Sequence, residues 1–411
     1  MKDFFSLSPV IRLRLLMMFL GAMTFSTVGG SMTIYYNEHM GSGVTGILLI
    51  ISNILTFVVG LWAGHLSDLR GRRPIMLFST LVTTTGAGIA TFANSPVFFN
   101  PWVTYFGFLI LFFGYGFFNT AATAMMVDLT TSENRRLVYS LQYWVINMAI
   151  LIGSALSGWF FRDYLMWLLL ACALEEFLSF WLVYFFIAES FDPVAAAKKA
   201  GMSIFKAYRM VAGDRAFMWY CLSAIFTAMI FNQLDNYLPV HLSNSFVNTS
   251  VFGLQIYGQR MLSIFLIVNT FIIVLLMNGL TRLTRNWRRQ TGMVVGLFFQ
   301  GTGFIVAFLG TTLTVELVAT VIATFGEMIG VSFLQAYRAD LMEGDSAGTY
   351  SGFFTITQPI ASVISGLLVS VSGVLTNVGM AGMMVLVMIG AIWPAIVSVR
   401  MKERPKEVLS S

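Results

Sequence analysis

Carboxyl groups and an arginine stand inside apolar runs of this sequence. Asp235 lies in Asn232-Gln233-Leu234-Asp235-Asn236-Tyr237, Arg260 in Tyr257-Gly258-Gln259-Arg260, and Glu327 in Phe325-Gly326-Glu327-Met328. Glu175 and Glu176 follow Ala171-Cys172-Ala173-Leu174. An ionisable group in an apolar setting is costly and marks a functional site by default. The chemistry open to such carboxyls is to bind and release protons and, when ionised, to attract a cation. Asp235 and Arg260 can alternatively form a structural ion pair, which does not exclude a role in coupling. Glu327 has no basic residue nearby in sequence, so proton or cation binding is the stronger reading there. Glu175 and Glu176 occupy adjacent helical positions, which point about 100° apart. They read as structural carboxyls hydrogen-bonded to helices, with an added proton site as the alternative.

The elements that must carry these groups are membrane helices. Hydrophobic residues make up 57% of the chain and charged residues 10%, against roughly 25% charged in soluble domains. A run of about 20 apolar residues spans a bilayer core of about 30 Å. Twelve such runs are read here: 11–35, 45–63, 74–93, 103–127, 137–160, 166–187, 217–238, 255–277, 292–309, 313–333, 353–371 and 379–399. Backbone polar groups must be satisfied within lipid, so runs of this length are helices. The first is too long for a cleaved signal peptide. Of the 24 lysines and arginines, only Arg162 and Arg260 fall off one side if both termini are cytoplasmic. The positive-inside rule therefore puts both termini in the cytoplasm. The basic pI near 9.2 is this topological charge and calls for no nucleic-acid partner. Cys172 and Cys221 fall within spans, so a disulfide framework is not expected. His39, His65 and His241 lie at span ends and loops, and no clustered ligands suggest a metal site.

Between the second and third runs the chain reads Gly64-His65-Leu66-Ser67-Asp68-Leu69-Arg70-Gly71-Arg72-Arg73. Gly71 allows a tight turn. Asp68 can accept hydrogen bonds from a helix N-terminus or an arginine. A loop that only fixed topology would explain the arginines but not Gly64, Asp68 and Gly71 at these offsets. The segment resembles the G-x-L-x-D-x-x-G-R-R/K signature of the major facilitator superfamily. The chain also repeats itself. Ala124-Met125-Met126-Val127-Asp128-Leu129 ends the fourth run and Ala336-Tyr337-Arg338-Ala339-Asp340-Leu341 the tenth, followed by Tyr139-Ser140 and Tyr350-Ser351. With six runs on each side of a polar stretch, this reads as two parallel six-helix halves. The expected fold is all-α integral membrane, with 12 transmembrane helices in two pseudo-symmetric halves. The expected division is an N-terminal half over residues 1–190, a central loop over 191–215 and a C-terminal half with its tail over 216–411. The segment 279–289 keeps the arginines of the loop signature and lacks its acid.

A narrower resemblance runs the length of the chain, to the LmrP-type proton-coupled multidrug efflux transporters. It rests on Ser31-Met32-Thr33-Ile34-Tyr35-Tyr36-Asn37, Asn100-Pro101-Trp102, Phe113-Gly114-Tyr115, residues 235–246 and residues 256–262. It implies a bacterial cell membrane and export of lipophilic, often cationic compounds in exchange for protons. It also implies that spans one, four, seven and ten line the cavity. Asp68 and Asp128 would then act in cytoplasmic gating, and Asp235 and Glu327 in proton or substrate binding. The chain departs from the family at Gln142, where an acid is expected, which puts stoichiometry and dicationic substrates in question. Gly153-Ser154-Ala155-Leu156-Ser157-Gly158 keeps small residues for close packing but no proline. The expected partners are lipophilic small molecules, protons and membrane lipids, with no cofactor, no enzymatic activity and a monomeric chain. A proton-coupled nutrient importer and a lipid flippase are the alternatives. Met, Phe and Ile dominate the cavity spans where a sugar carrier would carry more Asn, Gln and Trp.

Overall fold

The computed structural model describes residues 7–130, 135–190, 209–342 and 347–408. In chain order its helices are α1 (Pro9–Met40), α2 (Ser42–Arg70), α3 (Arg72–Phe92), α4 (Pro101–Leu129), α5 (Arg135–Phe186), α6 (Arg215–Phe231), α7 (Tyr237–Ser245), α8 (Gly258–Leu283), α9 (Arg289–Leu309), α10 (Leu313–Leu341), α11 (Ala347–Phe354), α12 (Thr357–Val371) and α13 (Asn377–Val408). Two short antiparallel hairpins, Asn94–Ser95 with Phe98–Phe99 and Thr249–Val251 with Leu254–Ile256, join helices. Asn100 caps α4, its Oδ1 accepting from the N–H groups of Trp102 (2.9 Å) and Val103 (3.2 Å), with Pro101 at the first helical position. Proline is suited to that place because its missing N–H would have no helical partner.

Among the described residues, 11 helical runs are long and apolar enough to cross a bilayer. One of them, Trp144–Phe186, has 43 residues. At about 1.5 Å per residue it is about twice the thickness of a bilayer core. The backbone leaves helical geometry at Tyr164, with φ −131° and ψ 28°, so α5 contains two spans and the plan of twelve is met. The span expected as one run over 217–238 is broken. α6 stops at Phe231, a 3-10 turn covers Asn232–Leu234, and α7 resumes at Tyr237. Pro239 supplies the reason: in a continuous helix its ring would clash with the carbonyl four residues back, that of Asp235.

The chain divides into two compact units, Met1–Met40 with Ile51–Ala200 and Gly41–Ile50 with Gly201–Ser411. Most of the expected central loop, 191–208, lies outside the described residues. In the first unit α1 packs on α5. The bare backbone of Gly153 meets the Met23 carbonyl, and the Ser31 and Ser157 hydroxyls are 2.6 Å apart. The core between α2, α3 and α4 is apolar, with Val59, Met76, Phe117 and Met125 nearly fully buried. In the second unit α9 and α10 make the closest pair. Residues Gly41–Ile50 join that unit through Ser370, whose hydroxyl donates to the Gly43 carbonyl at 3.3 Å.

Candidate functional site

Glu327 lies midway along α10, and its backbone is pinned from behind. A side chain on the preceding Gly326 would meet Gln300 Cα at 2.6 Å and the Gly296 carbonyl at 2.7 Å, both on α9. One position on, about 100° round the helix, Glu327 turns to α8. There Asn269 Nδ2 donates to Glu327 Oε2 at 2.9 Å and approaches Thr324 Oγ1 at 3.0 Å. Asn269 is buried and Glu327 half-buried. The carboxyl is therefore held by a neutral amide, a partner hidden in the sequence 58 residues away.

Asp235 sits at the break between α6 and α7, where it closes the 3-10 turn, and it is exposed. Broken membrane helices expose backbone groups and are where transporters build ion and substrate sites. Asn232 in the same break donates to Ser362 Oγ at 3.2 Å and accepts from Gln358 at 3.1 Å, tying it to α12. Arg260 opens α8. Its guanidinium donates to the Gln255 carbonyl at 2.6 Å and lies 4.9 Å from the centre of the Tyr257 ring. In the first unit Gln142 is half-buried on α5. Glu175 accepts from Thr24 of α1 at 3.3 Å and from Ser179 at 3.1 Å. Glu176 is half-buried beside it. Phe25 of α1 and Tyr115 of α4 stack with centroids 6.0 Å apart.

The loop signature folds into a polar cluster around the start of α3. Gly71 has φ 93° and ψ 166°, a conformation open to glycine. Arg72 Nε meets Asp128 Oδ2 at 3.4 Å, and its NH1 donates to Ser67 Oγ at 3.0 Å. Arg73 donates to the Tyr184 carbonyl at 2.7 Å. Gly64 has room around it, with Thr120 Cγ2 3.8 Å from where a side chain would begin. The side chains of Asp68, Arg135 and Arg136 lie outside the described residues. The repeat seen in sequence reappears as geometry: Arg289 opens α9 as Arg72 opens α3, and its Nε meets Asp340 Oδ2 at 3.1 Å. Each unit thus closes one end with an arginine–aspartate pair.

Three features escape the sequence. Glu189, at the end of the N-terminal half, caps α3: its two oxygens accept from the backbone N–H groups of Arg72 and Arg73, each at 3.0 Å. Asn269 is an amide in an apolar run and carries no charge to draw attention. Glu316 and His241 are fully buried together. Glu316 lies at the edge of a run, and His241, expected at a span end or loop, is enclosed within α7 because the broken span continues to Ser245. Among the described residues no group of three or more His, Cys, Asp or Glu could hold a metal ion.

The chain is 24% identical over 370 residues to a Na(+), Li(+), K(+)/H(+) antiporter of Planococcus maritimus, covering 86% of this chain and 87% of the relative. It is 22% identical over 314 residues to the multidrug resistance protein MdtH of Edwardsiella ictaluri (strain 93-146), covering 75% and 72%. Its fold matches a POT family transporter in complex with 5-aminolevulinic acid, with TM-score 0.75, 12% identity and 95% of both chains covered. It also matches a peptide transporter POT in complex with sulfate, with TM-score 0.75, 14% identity and 96% and 94% covered. At such identities these two likenesses speak for the fold alone. The family description Major Facilitator Superfamily matches residues 14–366. A twelve-span helical chain with paired ends and that match is a multi-pass membrane transporter, not an enzyme, and it belongs to the major facilitator superfamily.

Proposed function

We propose that this protein exports lipophilic, cationic compounds in exchange for protons by alternating access, as the LmrP-type transporters it resembles do. The observation that carries the reading is Glu327, a half-buried carboxyl at the middle of an apolar helix whose hydrogen bond comes from an amide and not from a base. A proton and a cation can compete for such a group. Asp235, exposed at the break between α6 and α7, supplies a second carboxyl. The Phe25–Tyr115 stack offers a flat apolar face to an aromatic ligand. The relatives support this direction, one being a cation/proton antiporter and the other a multidrug resistance protein. The Planococcus relative favours a second reading in which the exchanged cation is Na+, Li+ or K+. Proteoliposomes with an acidic lumen test both: proton exit should drive a lipophilic cation inward and collapse the pH gradient. Collapse driven by external Na+, with Na+ taken up and the lipophilic cation not, selects the second reading. Accumulation of peptides or sugars from an acidic exterior selects an importer and overturns both.

The cluster at the start of α3 is assigned to gating, with Gly64, Asp68, Gly71, Arg72, Arg73 and Asp128 as its residues. Asp68→Asn should shift the resting population toward inward-open, read as distances between spin labels on the two halves. A distance distribution that stays unchanged across pH would leave the loop a topological role only.

The proposal extends to Gln142, where the LmrP-type resemblance implies an acid. Glutamine does not titrate, so this chain should move fewer protons per cycle than a relative with an acid there, unless Glu175 or Glu176 takes its place. Divalent lipophilic cations need more negative charge in a low-dielectric cavity and should be exported poorly. Gln142→Asp should improve divalent export and raise the protons moved per substrate, both measured in proteoliposomes alongside Glu175→Gln and Glu176→Gln. Silence of all three variants would confine coupling to Asp235 and Glu327.

A further inference from the structure

His241 and Glu316 stand apart from every residue used so far. They meet at the end of the second unit opposite the Arg289–Asp340 pair. His241 comes from α7 and Glu316 from the first turn of α10. Both side chains are 0% exposed, with His241 Nε2 4.0 Å from Glu316 Oε1. The same Nε2 lies 2.6 Å from the Gly310 carbonyl, so it carries a proton and donates it there. Gly310 also makes the space: a side chain on it would begin 2.7 Å from Glu316 Oε1. Both oxygens of Glu316 lack a hydrogen-bond partner among the described residues. Asn377 stands beside the imidazole, and its Nδ2 donates to Ser245 Oγ at 3.3 Å.

A buried carboxyl with no hydrogen bond to either oxygen is too costly to keep ionised unless a positive charge stands beside it. Two arrangements avoid a net charge. In one, Glu316 is a carboxylic acid and His241 a neutral imidazole with its proton on Nε2. In the other, Glu316 is a carboxylate and His241 carries a second proton on Nδ1. They contain the same number of protons and differ in which member of the pair holds one of them. Removing that proton leaves a bare carboxylate beside a neutral ring, and adding another leaves a net positive charge. The elements packed here bring few other titratable or charged groups. Tyr237 is on α7, its ring 6.0 Å from that of His241. Tyr257 and Arg260 stand at the start of α8, with Arg260 engaged by the Gln255 carbonyl. Asp235 lies beyond the other end of α7. α9 and α12 bring no charged residue to this end.

We propose that His241 and Glu316 together form a proton-binding site that holds one exchangeable proton and is separate from the acids at Asp235 and Glu327. Both helices of the site also carry or adjoin one of those acids. Glu316 is three turns from Glu327 along α10, about 16 Å at about 1.5 Å per residue. Proton loss at the couple would admit water between α7 and α10 and loosen the segment that follows Asp235.

The proposal is tested without transport, so its outcome is independent of the substrate. The chain has 3 histidines. Protein labelled with 15N-histidine in lipid nanodiscs therefore gives few ring signals, and His241→Gln identifies the one that matters. The His241 signal should titrate in the wild-type protein, because the proton belongs to the pair. In Glu316→Gln that titration should vanish or move by at least about one pH unit, while His39 and His65 are unchanged. Potentiometric titration of the same two proteins should differ by about one proton. Glu316→Asp, which keeps a carboxyl, should restore the titration and covers the case in which Glu316→Gln fails to fold. A His241 signal that ignores pH in the wild-type protein overturns the proposal, as does one that titrates identically in Glu316→Gln. A signal that moves with Na+ at fixed pH, and not with choline, assigns the site to a metal cation and overturns it too.

Discussion

Glu327→Gln should reduce gradient-driven export of a lipophilic cation by at least about tenfold while leaving the protein folded. Glutamine preserves the size of the side chain and an oxygen for Asn269, whose hydrogen bond to Oε2 is 2.9 Å. It removes the charge. A unit charge about 5 Å from a cation contributes about 3 kcal/mol at an effective dielectric of about 20, which is a factor of about 100 in affinity. The smaller bound of tenfold allows for Asp235 and the apolar cavity holding part of the ligand. Asn269→Leu separates charge from orientation. It keeps the carboxyl and deletes its hydrogen-bond donor. Export should fall several-fold but persist. Initial rates of a fluorescent lipophilic cation in proteoliposomes, with thermal unfolding as the fold control, give both comparisons. Normal driven export by Glu327→Gln would falsify the assignment of the coupling site.

The fold was legible because the bilayer allows so few solutions. Twelve apolar runs fix twelve spans, and a basic loop with Gly71 at its turn fixes the second junction. The repeat was legible too: the A-x-x-x-D-L segments predict equivalent positions, and Asp128 and Asp340 each meet the arginine that opens the neighbouring helix. What the sequence hid were partners separated by long stretches of chain. Asn269 is uncharged, and nothing local links it to Glu327. The break at Asp235 has a local cause in Pro239, yet hydropathy alone runs through it. His241 stood where a single unbroken span would already have ended. With the break, the span extends to Ser245 and encloses it. Glu316 was obscured differently: a carboxyl in the first turn of a span ordinarily reads as a favourable charge at a positive helix end. Only the packing of α7 reveals that it is sealed from water.

The cap on α3 carries the other large expected effect. Gly71 precedes the helix and has no side chain to receive the first N–H groups, which have no partner within the helix. Glu189, 117 residues on from Arg72, provides the acceptors. A carboxylate at that end is favoured twice, by two charge-assisted hydrogen bonds and by the helix dipole. Glu189→Ala should cost about 1 kcal/mol, as for an exposed cap. Gly71→Ala should cost more, about 2 kcal/mol or above, for two reasons. An L-residue at φ 93° is strained, and its methyl would collide with the Glu189 carboxylate, whose Cδ is 2.8 Å from that position. The two substitutions should not add, because Gly71→Ala already drives Glu189 away. The double variant should match Gly71→Ala within about 0.5 kcal/mol, the scatter seen for independent sites. Unfolding of the three variants in identical nanodiscs measures this coupling. Full additivity would mean that Glu189 still caps α3 when residue 71 carries a methyl, and that Gly71 is required for the turn alone.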